Sequence, residues 1–600
     1  MKSNDVLRIG GASAFWGDSS QGIRQLLDGD QVDVLVFDYL AELTLSIMAS
    51  ARARDPDKGY ATDFVTAVGP LLQEIKSKNI RLLSNAGGMN ARACAQALRA
   101  IAEKAGVALK IVVVEGDDLI PVQEEIRAEG VTEMFSEEAL PAELTSLNAY
   151  LGAFPIVRAI ESGADIVITG RCADSALALG ALIHKFGWLP DDYDRLAAGS
   201  LVGHLLECTT QATGGLFTDW WRVSDWENVG FPIAECSSDG SFMLTKPQST
   251  GGLISRLSAA EQTLYEVTDP ANYLLPDVAC DFTAVTIEQV DADRVRIAGA
   301  RGGPPTDTYK VSGTWLDGYR LSSTLTIVGD HAVDKAKRLS AAILGRTAKL
   351  MNDAGFDDYK DTCCEILGSE LGSYGAVAKP DAREVVLRIA VRHDKAEALH
   401  ILSREIAPFG TSAAAGTTGF SGRQKPSAVF RLFSFLWPKS RVPISLVGTD
   451  GVSIPVSLPA PKGIYEKANG DVYHDIDALN GEVRTVPLSS IAVARSGDKG
   501  DVAHLCLIAR KPMFAACIDQ QMTAAAVKKY FEHLVDGTVT RYDVPGISAY
   551  NYIMTRALGG GGAASLRNDP LGKTFGQILL SHPVQVPESW LPELDSGYPN

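Results

Sequence analysis

About the first 190 residues repeat one unit, in which an apolar run is followed by a loop and usually by a helical pattern. The apolar runs read VLRIGG, VDVLVF, IRLLS, LKIVVV and ADIVIT. Continuous apolar strands that alternate with amphipathic helices are typical of a parallel sheet with helices on both faces. The repeat therefore predicts an α/β fold, with a mostly parallel sheet layered by helices in a large N-terminal domain.

Polar residues gather where these predicted strands end. They are Asp18, Asp38, Asn85, Glu115, Arg171 and Asp174. The loops that follow parallel strands lie at the same edge of the sheet, so these side chains are expected to converge there. In open α/β sheets, ligands bind outside the carboxyl ends of the strands. The pattern therefore predicts a small-molecule site at this edge.

Two of the loops combine glycine with small polar residues. We expect both loops to bind substrate, because paired glycines let the backbone approach a ligand and free N–H groups can hold an anion. The alternative is a pair of tight turns that pack a helix closely. Neither loop has GxGxxG spacing or a P-loop lysine, so we predict no nucleotide or redox cofactor. The candidate binding residues are Gly10, Gly11 and Ser13 in the first loop and Asn85, Gly87 and Gly88 in the second.

Five ionisable residues are the candidate catalytic groups, namely His204, Asp18, Glu207, Arg171 and Asp174. Arg171 and Asp174 can form a fixed ion pair, or Arg171 can bind a substrate carboxylate. His204 and Glu207 share one predicted helical face, a spacing that suits a histidine oriented by a carboxylate for acid/base chemistry. Asp18 is an alternative base, and a structural role is the alternative for His204. We predict no metal, because the sequence offers this pair no third ligand nearby.

The pattern changes after Gly199 and suggests three segments. Residues 1–455 are predicted to form the N-terminal domain, as one unit or as two lobes of about 1–200 and 200–455. Residues 456–486 contain two prolines and three glycines and form the predicted linker. Residues 487–600 combine strands and helices in a way that predicts a small α+β sandwich of ferredoxin-like type.

Two polar loops of this C-terminal domain are further candidates for substrate binding. The first joins two predicted strands and carries more charge than a hairpin needs, although a solvated turn is the alternative. The second is a run of four glycines near basic residues, which suits an anion such as a carboxylate or a phosphate of coenzyme A. The candidate binding residues are Arg495, Ser496, Asp498 and Lys499 in the first loop and Gly560, Gly561 and Arg567 in the second.

Charge and cysteine content limit the possible partners. A net charge of −17 argues against nucleic acid and anionic membranes as main partners. We find no signal-peptide pattern and no apolar run near the ~20 residues of a spanning helix. The nine cysteines include no CxxC pair, so we expect reduced thiols and a cytoplasmic protein, with an organelle matrix as the alternative setting. The chain length favours a homo-oligomer.

These motifs resemble those of the acyclic terpene utilisation (AtuA-like) family. The N-terminal part is similar through IGGASAFWGDS, SNAGGMN, ITGRCADSALALG and GHLLECTTQATGG. The last hundred residues are similar to the ferredoxin-fold domain of the family through ARSGDKGD, RYDVPG, LGGGGAASLR and the pair Gly572–Lys573. The resemblance implies a role in citronellol and geraniol degradation, in which branched isoprenoid acids are processed as coenzyme A thioesters. It implies no particular catalytic residues.

The residues and the resemblance together favour an enzyme that acts on a branched acid or its coenzyme A thioester. The expected chemistry is hydration/dehydration or retro-aldol cleavage, both of which need an acid/base group and a polar pocket for an enolate. Such a lyase needs no redox cofactor, and coenzyme A would arrive with the substrate. The alternatives are a non-catalytic ligand-binding or scaffold subunit of a catabolic assembly, and a metal-dependent lyase.

Overall fold

The computed structural model describes residues 6–29, 32–375, 379, 381–467, 481–562 and 564–594. We call residues 6–467 the N-terminal part and residues 481–594 the C-terminal part. Helices α1 to α16 are, in chain order, Gln21–Asp28, Glu42–Arg54, Thr62–Val68, Leu72–Ser77, Ala91–Lys104, Gln123–Ala128, Phe154–Glu161, Ala176–Phe186, Tyr193–Glu207, Arg256–Leu264, Ala332–Asp353, Ala396–Glu405, Phe409–Ser412, Ala515–Gln521, Ala524–Tyr530 and Phe575–Leu579.

The strands are numbered in the same way. Strands β1 to β13 are Val6–Ser13, Val34–Phe37, Arg81–Ser84, Ile111–Glu115, Ser146–Ala149, Ile166–Thr169, Ile233–Ser237, Phe242–Thr245, Tyr273–Leu274, Ala279–Asp281, Thr286–Asp291, Arg294–Ala298 and Arg301–Gly303. Strands β14 to β26 are Thr308–Val328, Asp361–Leu367, Glu384–His393, Thr417–Thr418, Ser427–Pro438, Ser445–Val447, Ser453–Pro455, Val483–Pro487, Ala492–Lys499, Val502–Ala509, Val539–Val544, Ala549–Met554 and Pro583–Pro587.

The largest sheet has the strand order β11-β12-β8-β7-β1-β2-β3-β6-β4-β19-β20. Its centre is parallel, because β1 pairs with β2, β2 with β3, β3 with β6 and β6 with β4 in the same direction. Strands β2 and β6 are buried along their whole length, which explains their continuous apolar sequences. The α/β class is therefore confirmed for the centre of this sheet.

The expectation of a mostly parallel sheet is not confirmed, because the sheet is mixed. Strands β7, β8, β11 and β12 extend one edge in antiparallel pairs, and β19 and β20 extend the other. The physical reason lies in the connections between strands. Short turns join β7 to β8 and β11 to β12, and such turns link antiparallel neighbours, whereas parallel neighbours need a longer crossover.

A second sheet is built around β14, a strand of 21 residues. Its first half pairs with β18 and its second half with β16, both antiparallel. Helices α11 and α12 pack on it and share its apolar core. Strand β5, from the first 150 residues, also pairs with β14, with Ala149 opposite Val311. This pairing places β5, which lies between β4 and β6 along the chain, in the second sheet.

The C-terminal part contains an antiparallel sheet of order β22-β23-β25-β24. Alternate residues of a strand point to opposite faces. Leu505 and Leu507 of β23 pack with α14, α15 and α16 in the core of the C-terminal part. Cys506 and Ile508, on the other face, belong to the core of the N-terminal part, and α10 contacts β22 and β23. The two parts therefore share a buried interface.

Polar side chains also hold this interface. Arg510 donates two hydrogen bonds of 2.6 Å to the carboxylate of Asp219, which is fully buried. The hydroxyl of Thr218 donates to the carbonyl of Ala494 at 2.9 Å and accepts from its N–H at 3.0 Å. These contacts fix the C-terminal part against the N-terminal part.

We expect Glu261 of α10 to make the stability of this interface depend on pH. Its buried carboxyl accepts the N–H of Thr218 at 3.3 Å, and burial raises its pKa from 4.5 to about 8. The stability that this raised pKa contributes is fully present below pH 4.5 and is lost as the pH rises to about 8. We expect Glu261→Gln, which cannot ionise, to flatten the fall in unfolding free energy between about pH 5 and pH 8. Urea denaturation measures this fall, and an unchanged slope would contradict the assignment.

The predicted linker is only partly described. Residues 456–467 contain no helix or strand, and Lys462 among them lies with its Nζ 2.7 Å from the carboxylate of Asp191. Residues 468–480 lie outside the described residues. Strand β21 begins inside the predicted linker and pairs with β26. Among the described helices, none combines the length and the apolar character needed to cross a membrane.

Candidate functional site

A cavity of about 1890 Å³ lies between the two parts of the chain. Arg171 and Asp174 follow β6 and line it, as expected for side chains beyond the carboxyl end of a parallel strand. His204 and Glu207, near the end of α9, lie in the same wall. Lys499, the last residue of β22, lines the cavity from the C-terminal part.

Three carboxyl groups meet at this wall, and we call them the carboxyl cluster. Oxygens of Asp38, Asp174 and Glu207 all lie within 4.8 Å of one another. Asp38 directly follows β2 and is buried behind the wall. Its Oδ1 accepts hydrogen bonds from Asn85 Nδ2 at 2.7 Å and from the N–H of Leu40 at 2.9 Å. Asn85 therefore does not line the cavity itself but contacts the carboxyl cluster through its hydrogen bond to Asp38.

Burial favours the protonated state of Asp38 and Glu207 in the carboxyl cluster. Burial raises the pKa of Asp38 to about 8, and the charge of Asp174 adds to this rise although Arg171 opposes it. Burial and the charge of Asp174 also raise the pKa of Glu207. Carboxylates this close in a buried site do not all ionise. The cluster can therefore donate a proton as well as accept one, which is the property of a general acid/base centre.

Arg171 supplies positive charge next to the cluster. Its side chain is buried, and its guanidinium lies 3.1 Å from Asp174 Oδ1. The same guanidinium donates to the carbonyl of Leu40 and lies over the ring of Tyr150, 4.2 Å from the ring centre. The predicted ion pair with Asp174 is thus present in the structure.

His204 has partners at both ring nitrogens. Nε2 lies 3.1 Å from the carbonyl oxygen of Gln262, and Nδ1 lies 3.2 Å from Glu207 Oε1. A carbonyl oxygen only accepts, so Nε2 must carry a proton. Burial alone lowers the pKa of His204, but the hydrogen bond and charge of Glu207 raise it above the usual value. His204 therefore orients Glu207, and Glu207 is the better candidate for direct proton transfer.

A second charged group lines the cavity at the interface. Lys499 Nζ donates to Glu266 at 2.6 Å, and Lys573 Nζ lies 3.6 Å from the same carboxylate. Although burial raises the pKa of Glu266, the two lysines lower it to about 2, so this group stays ionised. The ring of Tyr273 packs edge-on against His204 with centroids 6.1 Å apart. The C-terminal part thus contributes charge to the same cavity.

The carboxyl cluster is also the place where a divalent cation could bind. Mg²⁺ and Ca²⁺ prefer carboxylate oxygens, and three such groups lie within 4.8 Å of one another here. In the structure, Arg171 is ion-paired with Asp174, and His204 Nδ1 lies 3.2 Å from Glu207 Oε1. That the site works without a metal stays a prediction.

The structure brings together six of the residues that the sequence predicts for the site: Arg171, Asp174, His204, Glu207, Lys499 and Gly560. It does not bring Asp18 to them. Asp18 and Ser13 line a separate cavity of about 240 Å³. The carboxylate of Asp18 accepts the N–H groups of Ala14 at 2.8 Å and Ser19 at 2.7 Å, so it closes its own loop.

The glycines of the two N-terminal loops lie against neighbouring atoms of the protein. A Cβ at Gly10 would lie 3.0 Å from the side chains of Leu26 and Leu35, and one at Gly11 would lie 2.5 Å from the carbonyl oxygen of Leu206. A Cβ at Gly87 would clash with the carbonyl oxygen of Thr169, and a Cβ at Gly88 would clash with the sulfur of Met48. These contacts agree with the alternative interpretation, in which both loops are tight turns that pack closely against neighbouring parts of the chain.

The stability of a Gly11 variant tests whether this glycine is needed for close packing against α9. We expect Gly11→Ala to lower the unfolding free energy by about 1–3 kcal/mol, because the new methyl meets the backbone of α9. Gly345→Ala is the matched control. Outside its own helix α11, no atom lies within 4 Å of a Cβ there, so alanine should stabilise by about 0.5–1 kcal/mol. Equal urea midpoints for the two variants would contradict the packing role.

Arg495 and Ser496 hold the interface together. Arg495 donates to the carbonyl of Leu216 at 3.0 Å and to the Gln211 side chain, and its guanidinium lies 4.7 Å from the centre of the Tyr265 ring. Ser496 Oγ accepts the N–H of Gly576 at 3.0 Å. Both residues are buried, and neither lines the large cavity.

The remaining predicted binding residues also make internal contacts. Asp498 lies 3.7 Å from Lys573 Nζ. A Cβ at Gly561 would clash with the carbonyl of Gly500. Arg567 donates to the carbonyls of Leu534, at 3.0 Å, and Ala557. None of these three residues lines the large cavity.

Sequence patterns do not select several residues of this site. The strand pattern predicts Asp38 at this edge of the sheet, but gives no reason to place it among the catalytic candidates. Glu266, Tyr273 and Lys310 also line the cavity, yet no local motif surrounds them. Lys310 lies in β14, where it belongs to an ordinary strand pattern. Their role depends on how distant segments pack.

Comparison with known families agrees with this architecture. Residues 7–447 match the family described as acyclic terpene utilisation family protein AtuA. Residues 486–585 match the AtuA ferredoxin-like domain, which confirms the ferredoxin-like assignment and the order of the two domains. The curated proteins include no match to the chain. Because the first match covers more than half of the sequence, this chain belongs to the AtuA family of acyclic terpene utilisation.

Proposed function

We propose that this protein is an enzyme of acyclic terpene catabolism that acts on a branched carboxylic acid or its coenzyme A thioester. The reaction class is hydration/dehydration or retro-aldol cleavage. The observation that carries the proposal is the carboxyl cluster at the wall of the large cavity, with the pKa of Asp38 raised to about 8. Strongly shifted pKa values in a cleft are typical of catalytic acids and bases. The AtuA family supports the substrate class.

Glu207 is the proposed catalytic base, because it lines the cavity and His204 fixes its carboxylate. In dehydration, Glu207 takes a proton from the carbon next to the thioester carbonyl. The hydroxyl on the neighbouring carbon leaves as water after it receives a proton that Asp174 passes on from Asp38, whose carboxyl lies within 4.8 Å of it. Glu207 then passes the proton that it took from the substrate to Asp38 within the carboxyl cluster, so that both groups return to their starting states. Hydration is the same path in reverse.

Retro-aldol cleavage would use the same groups in a different order. Glu207 takes the proton of the substrate hydroxyl. The bond between the carbon that carries this hydroxyl and the carbon next to the thioester or acid carbonyl then breaks. One fragment leaves as a carbonyl compound and the other as an enolate. Asp38 protonates the enolate through Asp174, and Glu207 then passes its proton to Asp38. Arg171 and Lys499 line the cavity and supply positive charge for the developing enolate oxygen.

The remaining cavity wall suits a branched hydrocarbon chain attached to a large carrier. The volume of about 1890 Å³ exceeds the roughly 300–1,000 Å³ of common ligand pockets, so it has room for more than a small acid. Apolar side chains form much of the wall, namely Met134, Leu144, Leu274, Leu275, Trp315, Leu316, Leu432, Phe433 and Leu436.

Turnover assays test this proposal. The purified protein is incubated with branched 3-hydroxyacyl and 2,3-unsaturated acyl thioesters of coenzyme A and with the free acids, and products are identified by mass spectrometry. We expect gain or loss of water, or cleavage into two fragments. Thermal stabilisation by these compounds without turnover would instead support a non-catalytic binding subunit. Turnover that EDTA abolishes and Mg²⁺ restores would overturn the metal-free mechanism.

A further inference from the structure

Tyr273 lines the large cavity beside the residues proposed for proton transfer. Its ring packs edge-on against His204, with centroids 6.1 Å apart, and His204 Nδ1 lies 3.2 Å from Glu207 Oε1. A buried tyrosine hydroxyl usually finds a hydrogen-bond partner inside the protein. The hydroxyl of Tyr273, however, makes no hydrogen bond to any residue that the structure describes. This hydroxyl is therefore available to a ligand in the cavity.

Contacts with two other segments hold the ring of Tyr273 in place. Tyr273 begins β9, which pairs with β10 so that Tyr273 lies opposite Cys280. The ring of Phe282, which directly follows β10, has its centroid 5.8 Å from that of Tyr273. Both Phe282 and His204 are buried. Their packing positions the hydroxyl before a ligand binds, which is what a group that stabilises a transition state needs.

The surroundings of this hydroxyl keep its proton in place. Burial raises the pKa of Tyr273 above its usual value, and the charges of Glu207, Asp174 and Glu266 raise it further, although Lys499 lowers it. The hydroxyl is therefore protonated at neutral pH. A protonated hydroxyl donates a hydrogen bond and does not act as a base.

The two cations proposed to act on the enolate already have carboxylate partners. Arg171 lies 3.1 Å from Asp174 Oδ1, and Lys499 Nζ donates to Glu266 at 2.6 Å. Each cation has to share its charge between that partner and a ligand. The hydroxyl of Tyr273 has no such partner among the described residues, so it can donate to a ligand without weakening an ion pair. An oxygen that gains negative charge in the cavity therefore meets a free donor at Tyr273.

We propose that Tyr273 is a further catalytic residue, whose hydroxyl donates a hydrogen bond to the carbonyl oxygen of the reacting acyl thioester. The inference rests on the proposed function and deepens it. When Glu207 removes the proton next to the carbonyl, the electron pair of that C–H bond forms the C=C bond of the enolate, and the C=O π pair moves to oxygen. In retro-aldol cleavage the electron pair comes from the broken C–C bond. The O–H bond of Tyr273 stays intact, and its hydrogen bond strengthens as the oxygen gains charge.

Matched variants separate a catalytic hydroxyl from a structural ring. Tyr273→Phe keeps the ring contacts with His204 and Phe282, so its melting temperature should change little while kcat falls about 10²–10³-fold, the usual loss for one oxyanion donor. Tyr150→Phe is the control, because Tyr150 lines the same cavity and keeps its ring beside Arg171. Its kcat should stay within about threefold of the wild type. Equal kcat values for the two variants would overturn the proposal.

The carbonyl stretch of a bound thioester reports this hydrogen bond without turnover. The probe is 3-methylbutanoyl-coenzyme A with ¹³C at the carbonyl, which has no hydroxyl and no C=C bond and so undergoes neither dehydration, hydration nor cleavage. A hydrogen bond weakens the C=O bond, so isotope-difference infrared spectra should show a higher frequency with Tyr273→Phe than with the wild type and Tyr150→Phe.

The infrared result and the turnover result test different claims. A frequency that Tyr273→Phe leaves unchanged, or a probe that the wild type does not bind, would overturn the role of Tyr273 even if the wild type turns over its substrate. A shifted frequency without any turnover would support the hydrogen bond from Tyr273 and contradict the proposed catalysis.

Discussion

Glu207→Gln is expected to lower kcat by a factor of about 10²–10⁴, the usual contribution of a general acid/base group. Glutamine keeps the shape of the side chain and can still accept a hydrogen bond from Nδ1 of His204, which lies 3.2 Å from Glu207 Oε1. It cannot exchange a proton with the substrate. The loss should therefore appear in kcat while KM and the melting temperature change little.

The matched control for this variant is Glu138→Gln. Glu138 lines the same cavity, but it lies outside the carboxyl cluster. We expect its kcat to stay within about threefold of the wild type, since it has no role in proton transfer. If both variants reduce kcat equally, Glu207 is not the catalytic base. If Glu207→Gln retains full kcat, the carboxyl cluster is not the catalytic centre.

Asp219→Ala is expected to lower the unfolding free energy by about 3–5 kcal/mol. Asp219 is fully buried and accepts both hydrogen bonds from Arg510, whose side chain is 4% exposed. Alanine would leave the guanidinium without its carboxylate at the interface of the two parts. The same interface holds Lys499 at the cavity. We therefore also expect the turnover of Asp219→Ala to fall at temperatures where the wild type is fully active.

An exposed ion pair provides the comparison for Asp219. Arg158 and Glu161 lie 2.7 Å apart, but both side chains are about half exposed. Water and salt screen such a pair, so Glu161→Ala should change the unfolding free energy by less than about 1 kcal/mol. Urea denaturation at one salt concentration measures both variants. A change for Asp219→Ala as small as that for Glu161→Ala would show that the buried pair does not secure the interface.

Much of the N-terminal site was predictable, because it follows from local patterns. The continuous apolar runs predict β2 and β6, and parallel strands bring the residues after them to one edge. Short spacings within one chain segment then predict the pairs Arg171–Asp174 and His204–Glu207, which the structure contains. Periodicity and spacing are sufficient for such contacts because few residues separate the partners.

Long-range contacts were beyond prediction from the sequence. Glu266 meets Lys499 only because the C-terminal sheet packs on α10, and the two residues are 233 positions apart. Lys310 reaches Tyr150 only through the pairing of β5 with β14. No periodic pattern in the sequence predicts either of these two contacts. The role of the glycine loops was ambiguous for a related reason. A glycine that leaves space for a ligand cannot be told in the sequence from one that lets a helix pack closely, as Gly11 does.

The most direct test of the carboxyl cluster as an acid/base centre is deuterium exchange into a bound thioester. The protein is incubated in D₂O with the acyl thioester that stabilises it most, and deuterium at the carbon next to the carbonyl is measured by mass spectrometry. We predict that the wild type incorporates deuterium there and that Glu207→Gln incorporates at least about 100-fold less. A bound thioester that gains no deuterium with the wild type, or gains it equally with Glu207→Gln, would contradict Glu207 as the base that removes the proton next to the carbonyl.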